Sequence, residues 1–230
     1  VSVVLGPGCN IKRNPLGGRN FEYISEDPYQ AGKMAAAFIR GQQRTGASSS
    51  LKHFAANSQE YKRMNGDSQM DERTLREIYL TAFEIAAKEG RPGTVMCAYN
   101  KINGVHCSDS KTLLTDILRT EWGFDGAVVT DWGAMHDRIK GFQAGCDLNM
   151  PGGNKYMEKE LMEAVHGGTL DETHIDACVE RILRLVESRQ NVKAGDVDFG
   201  AHHILALEVA RQGAVLLKNE ESILPLSADD

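Results

Sequence analysis

The sequence predicts an α/β fold with a parallel sheet and, within that class, a partial (β/α)8 barrel of the TIM type. Strand-like and helix-like stretches alternate along most of the chain, and the strands read as apolar runs, as strands covered by helices on their faces do. Polar residues also gather just past the C-terminal ends of several different strands: Lys52 and His53, Tyr99 and Asn100, Asp131, then Asp147 and Asn149. A barrel distributes functional groups in this way. A dinucleotide-binding sheet would concentrate them at one glycine-rich turn, and no G-x-G-x-x-G follows a strand. Five strands are readable, short of the eight that close a barrel.

The elements follow in order. VSVVLGPG opens as a strand. Asp27 before Pro28 reads as an N-cap with a proline in the first turn, and the helix it starts is expected to run to about residue 40, with Gly41 as its stop. A Gly/Ser loop leads to a short strand through LKHFA. From Asp71 to Gly90, Leu75, Ile78, Tyr79, Ala82 and Ala86 keep helical spacing and are expected to face inward. TVMCAY is the next strand. Ser108 or Ser110 then starts a helix with Leu113, Leu114, Ile117 and Leu118 inward, Gly123 ends it, and GAVVTD follows as a strand. A shorter helix leads to CDLNMP, which is strand-like, and Asp171 caps a long helix expected to bury Ile175, Cys178, Val179, Ile182 and Val186.

Composition bounds the function. The 230 residues carry a net charge of -6 with no basic stripe, which argues against nucleic acid and anionic membrane surfaces as partners. No apolar run approaches the ~18 residues of a membrane span. Five cysteines without a C-x-x-C pair read as reduced structural thiols, which favours the cytoplasm. The chain opens inside a strand pattern, with no initiator Met and no signal-like segment, so both ends are expected to be cuts in a longer protein.

Each polar residue has two readings. Lys52 and His53 offer adjacent hydrogen-bond donors suited to neighbouring hydroxyls, or they are a snorkelling lysine and a histidine bonded to a carbonyl. Lys52 is also a possible Schiff-base amine. Arg19, in GGRNFE, binds a ligand or pairs with Glu22 or Glu26, and Arg63, in a polar loop, reads by default as a solvated charge. Met96 and Tyr99 are core residues or site walls. Asp131 carries the strongest local signal: it caps the next helix, or it is a functional carboxylate with Trp132 beside it as an apolar platform for a sugar ring. The seven histidines have no metal-ligand spacing, and no G-x-S-x-G is present. His202 and His203 sit in a late helical stretch.

Taken together, GPGCNIKRNPLGGRNFEYISEDP, LKHFAANSQE, DERTLREIYLTAFE, VMCAYNKING, LLTDILRTEWGFDG, VVTDWGA and AGCDLNMPG resemble glycoside hydrolase family 3, and its bacterial β-glucosidase branch in particular. The resemblance implies that Asp131 is the nucleophile of a retaining hydrolase acting on β-glucosides or short β-gluco-oligosaccharides. It implies that Lys52, His53, Arg19 and Arg63 bind the first sugar, that Met96, Tyr99 and Trp132 line its site, and that no cofactor or metal takes part. It places a partial barrel at 1–190 and, over 191–230, the entry to an α/β sandwich domain, marked by ARQGAVLLKNEESILPL. The acid/base glutamate would lie in that second domain and an early sugar-binding aspartate upstream, so this stretch alone is expected to be inactive, with open strand edges that favour association.

Alternatives remain within and beyond the family. The β-N-acetylglucosaminidase branch carries an Asp-His dyad in the loop after the Lys-His pair, and FAANSQEYKRMNGDS has no histidine. The β-xylosidase branch usually has a cysteine where Trp132 stands. A Lys52 Schiff-base aldolase and a sugar-binding module without turnover are the readings outside the family. Linkage, aglycone and oligomeric state are not legible.

Overall fold

In a computed structural model of the chain, residues 1–190, 192 and 195–227 are described. Two compact units divide it, Val1–Lys193 and Ala194–Asp230. The expected domain boundary at 190/191 falls where residue 191 lies outside the described residues.

The first unit is built on four parallel strands in chain order, β1 (Val3–Val4), β2 (Ser48–Phe54), β4 (Thr94–Cys97) and β7 (Ala127–Thr130). A fifth segment joins through a parallel bridge between Val129 and Leu148, so CDLNMP contributes a single rung where a full strand was expected. A small second sheet, from β3 (Asp67–Ser68), β5 (Lys101–Ile102) and β6 (Val105–His106), stands beside the loops after β2 and β4. The helices between the parallel strands are α1 (Pro28–Gln43), α2 (residues 72–90) and α3 (Thr112–Glu121). After β7 come α4 (Arg138–Ala144), α5 (Lys155–His166) and α6 (Glu172–Glu187). This is an arc of a (β/α) barrel.

Local chemistry explains most boundaries. Asp27 caps α1 by accepting from Tyr29 N at 2.8 Å, Asp71 caps α2 by accepting from Thr74 N at 2.7 Å, and Ser110 Oγ accepts from Leu113 N at 3.2 Å. Gly41 does not stop α1. The helix continues to Gln43, and the glycine that reverses the chain is Gly46, at φ +88°, whose N–H bonds Gln43 O at 3.1 Å.

Two expected faces are rotated. In α2, Ile78 is exposed, and the buried residues are Leu80, Ala82, Phe83, Ala86 and Ala87. Residues Leu75–Leu80 and Ala86–Gly90 wind as wider π turns around the α-helical Thr81–Ile85, so the inward stripe of α2 does not follow a single 3.6-residue spacing; α3 is π-wound throughout and keeps its expected face. In α6, Val179 and Val186 are half exposed, and Cys178 is the residue that is fully buried. The α5 helix has no counterpart in the sequence reading; Asn154 caps it, accepting from Tyr156 N at 3.1 Å.

The core lies between the strands and α1 to α3. Leu51, Val95, Cys97 and Val128 face it, and Phe54 meets Phe83 and Trp122 with ring centroids 5.2 Å and 5.8 Å away. Met96 and Val129 are buried but lie outside that cluster, since strand alternation turns them to the opposite, barrel-interior side. All five cysteines are buried.

One ion cluster ties β7 to the helix layer. Asp147 accepts from Arg119 Nη2 at 2.7 Å, from Arg181 Nη1 at 2.8 Å and from the backbone N of Val128 at 2.6 Å. Arg119 reaches on to Gly126 O at 2.8 Å and Gly145 O at 3.1 Å. Asp147 had been grouped with the polar strand-end residues. It belongs to this structural cluster because both of its oxygens are engaged there.

In the second unit, Asp198 caps α7 (Phe199–Gly213), accepting from Ala201 N at 2.9 Å, and His202 and His203 lie within it. Among the described residues, no helix is long and apolar enough to cross a membrane.

Candidate active site

Four chain segments bring charged groups together at the C-terminal ends of the parallel strands. The loop after β1 supplies Arg19, Glu22 and Tyr23, the end of β2 supplies Lys52 and His53, the segment after β4 supplies Tyr99, and the end of β7 supplies Asp131 and Trp132. Arg63, from the loop after β2, reaches the same place: its guanidinium lies over the Tyr99 ring, 4.6 Å from the centroid. It also pairs with Glu60 at 2.5 Å, so its solvated-charge reading gives way to an ordered one.

Asp131 is not a helix cap. The next helix, α4, is capped by Asp137, which accepts from Lys140 N at 3.0 Å. Asp131 Oδ1 accepts from the backbone N of Trp132 at 2.7 Å, while Oδ2 is buried and has no hydrogen-bond partner among the described residues. Two nitrogens flank that oxygen, His53 Nε2 at 3.5 Å and Arg19 Nη1 at 3.8 Å. Gly133, at φ +77°, turns the chain immediately afterwards and bonds Met150 O at 2.7 Å. The strand therefore ends abruptly with its carboxylate at the mouth.

Lys52 and His53 are neighbours that reach the same cluster. In a regular strand they would face opposite sides. The register of β2 against β4 shifts between Leu51 and Phe54, and that irregularity breaks the alternation. Asn10 fixes the bend: its Nδ2 donates to His53 O at 2.9 Å, and its Oδ1 accepts from His53 N at 2.8 Å. Lys52 Nζ lies 3.4 Å from Glu22 Oε2, and Arg19 Nε bonds Glu22 Oε1, so Glu22 gathers two of the cations. Arg19 thus makes the expected pair with Glu22 and still extends Nη1 toward Asp131.

His53 is 1% exposed and its ring is held neutral. Burial, then the positive charges of Arg19, Lys52 and Arg63, push its pKa down to about 2. The linkage sign follows: below the ordinary value of 6.5 the unfolded chain takes up a proton that the folded chain refuses, so stability falls as pH falls. The slope from this residue is up to about 1.4 kcal/mol per pH unit. Chemical denaturation between about pH 6 and about pH 4 should show His53→Gln with a flatter loss than the wild type, and equal slopes would contradict neutral burial.

Tyr99 Oη donates to Trp132 O at 2.9 Å, and burial, then the Asp131 charge, raises its pKa. The Trp132 ring stays 56% exposed beside Asp131, free to stack on a ligand. Met96 is buried in β4 on the interior side, underneath this layer. The sequence reading passed over Glu22 as anything but a partner for Arg19, and missed Asn10, Tyr23 and Asn57. These act through loop packing, which leaves no periodic signal.

A separate cavity of about 500 Å³ lies at the opposite ends of β4 and β7, lined by Ala87, Trp122 and Phe124 among others. Its one carboxylate, Asp125, shares the lining with Lys88 and Arg91 but lies away from the C-terminal strand ends, so the charged mouth is the better candidate despite the cavity's size. Among the described residues, no group of three or more His, Cys, Asp and Glu could hold a metal ion.

The glycosyl hydrolase family 3 N terminal domain matches residues 1–185. The chain is 53% identical over 228 residues to thermostable beta-glucosidase B of Acetivibrio thermocellus, covering 98% of this chain and 30% of that protein. It is 48% identical to an exo-alpha-(1->6)-L-arabinopyranosidase of Bifidobacterium longum, over 99% of this chain and 30% of that protein. Beta-glucosidase 3B of Thermotoga neapolitana, solved with alpha-D-glucose, superposes with a TM-score of 0.93 at 46% identity, over 99% of this chain and 33% of that one. The chain thus spans about 30% of the length of the curated relatives it matches.

Proposed function

The chain belongs to glycosyl hydrolase family 3, and from that premise we propose that it forms the nucleophile-bearing part of a retaining β-glucosidase, with Asp131 as the attacking carboxylate. One observation carries the reading. Asp131 is 6% exposed, yet its Oδ2 has no hydrogen-bond partner among the described residues. A buried carboxylate kept for structure engages both oxygens, as Asp147 does with two arginines and a backbone N–H. Asp131 holds one oxygen ready at the mouth, between Arg19 and His53.

The mechanism follows from that placement. A pyranose ring stacks on Trp132, while Lys52, His53 and Arg19 donate to its hydroxyls and hold the anomeric carbon near Oδ2. Oδ2 attacks through an oxocarbenium-like transition state and forms a covalent glycosyl-enzyme. An acid/base glutamate on a following domain completes the proposal: it protonates the leaving oxygen and then activates the water that releases the sugar. Glu22 keeps Arg19 and Lys52 aimed inward as donors to the sugar hydroxyls, and its carboxylate offsets part of their charge beside a ring that turns cationic in the transition state.

A second reading has its own support. Proteins named as arabinopyranosidases are 48% and 47% identical to the chain, close to the leading β-glucosidase. An α-L-arabinopyranoside lacks the hydroxymethyl group of a β-glucoside and inverts one ring hydroxyl. Rates of the intact protein on nitrophenyl β-D-glucoside, α-L-arabinopyranoside and β-D-xyloside separate the readings. We expect the highest kcat/KM on the glucoside, with β-glucose as the first anomer seen by proton NMR. Preference for the arabinopyranoside would establish the second reading, and α-glucose appearing first would overturn retention.

A further inference from the structure

Beside the site, the loops after β2 and β4 hold three buried oxygens without a hydrogen-bond partner among the described residues: Asn57 Oδ1, Ser58 Oγ and Asn100 Oδ1. All three residues line one cavity of about 30 Å³, which Arg63 also lines. A cavity that small brings its walls within reach of a single molecule, and it has room for a water.

We propose that this cavity binds one ordered water, and that the water fixes the tautomer of His53 through Asn57 and Tyr23. The donor count fits. A water gives its two protons to the amide oxygens of Asn57 and Asn100 and accepts the Ser58 hydroxyl proton, making the three bonds usual for a buried water. A cation fits less well: Arg63 is in the wall, and the one lining carboxylate, Asp67, already accepts from Gly104 N at 2.9 Å and Gln69 Nε2 at 3.3 Å.

The relay runs toward Asp131. With its Oδ1 on the water, Asn57 presents Nδ2 to Tyr23 Oη at 3.4 Å. The Tyr23 hydroxyl then gives its proton to His53 Nδ1, at 3.1 Å, in preference to the more distant Asn57 carbonyl at 3.4 Å. The neutral ring carries its own proton on Nε2, facing Asp131 Oδ2. With the Asn57 amide reversed, its oxygen would take the Tyr23 proton, Nδ1 would donate, and a bare Nε2 lone pair would oppose the carboxylate. The relay depends on hydrogen bonding alone and holds whether or not Asp131 is the nucleophile.

Two measurements on the intact protein test it. A crystal structure with ordered solvent should place a water about 2.7–3.2 Å from the three oxygens. Histidine-selective ¹⁵N NMR should find His53 protonated on Nε2, and Asn57→Asp should move that proton to Nδ1. If that variant fails to fold, Ser58→Ala removes one of the three bonds and leaves the relay residues intact; water occupancy should drop and an Nδ1-protonated population should appear. A cavity without ordered water, a wild-type ring protonated on Nδ1, or a tautomer unmoved by the variant would overturn the proposal.

Discussion

Asp131→Asn should lower kcat/KM on β-glucosides by on the order of 10⁴ to 10⁶-fold, the loss usual when a covalent nucleophile is removed. Glucose affinity should change by less than about tenfold, or about 1.4 kcal/mol. In the proposed mechanism the two effects separate because the carboxylate would form its bond in the transition state, while Lys52, Arg19 and the Trp132 ring would carry the ground-state contacts. His53→Gln and Arg19→Ala should differ in kind, raising KM along with the loss in rate. Steady-state kinetics together with calorimetry on glucose reads both quantities. Equal losses of affinity and rate for Asp131→Asn would make it a binding residue.

Asp147→Ala should destabilise the fold by about 3–5 kcal/mol. Its side chain is fully buried, and removing it leaves Arg119, 10% exposed, and Arg181 facing each other with no counter-charge. The Val128 N–H loses its acceptor at the same time. Burial already pushes the Arg119 pKa down, so the guanidinium is held in its charged form against a desolvation cost. Urea denaturation of the variant measures the effect, and a loss under about 1 kcal/mol would show the cluster to be of surface-pair strength.

These two aspartates show what the sequence made legible. Both stand near the C-terminal ends of apolar runs, and both were grouped as strand-end polar residues. VVTDWGA carried enough local information to single out Asp131, since a strand, an acid, an aromatic and a turning glycine follow one another there. Asp147 needed Arg119 and Arg181, which are 28 and 34 residues away and have no sequence pattern linking them to it. Alternation of strands and helices was readable because each strand is an apolar run bounded by caps such as Asp27, Asp71 and Ser110.

The inward face of α3 was readable: Leu113, Leu114, Ile117 and Leu118 are all buried as expected, although the helix winds as π turns. In α2 the buried stripe falls on Leu80, Ala82, Phe83, Ala86 and Ala87 and leaves Ile78 in solvent, and in α6 Val179 and Val186 stay half exposed. The site's outer ring was least legible. Glu22, Asn10 and Asn57 sit in loops without a regular apolar period, so nothing marks the few polar residues that turn inward. Their roles come from distances to His53, Lys52 and Tyr23 that arise only when the loops after β1 and β2 pack together.

In the proposed mechanism Asp131 forms a covalent bond to the sugar. Treating the intact protein with an activated 2-deoxy-2-fluoro-β-glucoside slows release of the intermediate and allows the attached residue to be identified by peptide mass spectrometry. A fluoroglucosyl label is expected on the peptide that contains Asp131, mapped to that side chain and lost in Asp131→Asn. A label on any other carboxylate, or turnover that persists undiminished in Asp131→Asn, would contradict it.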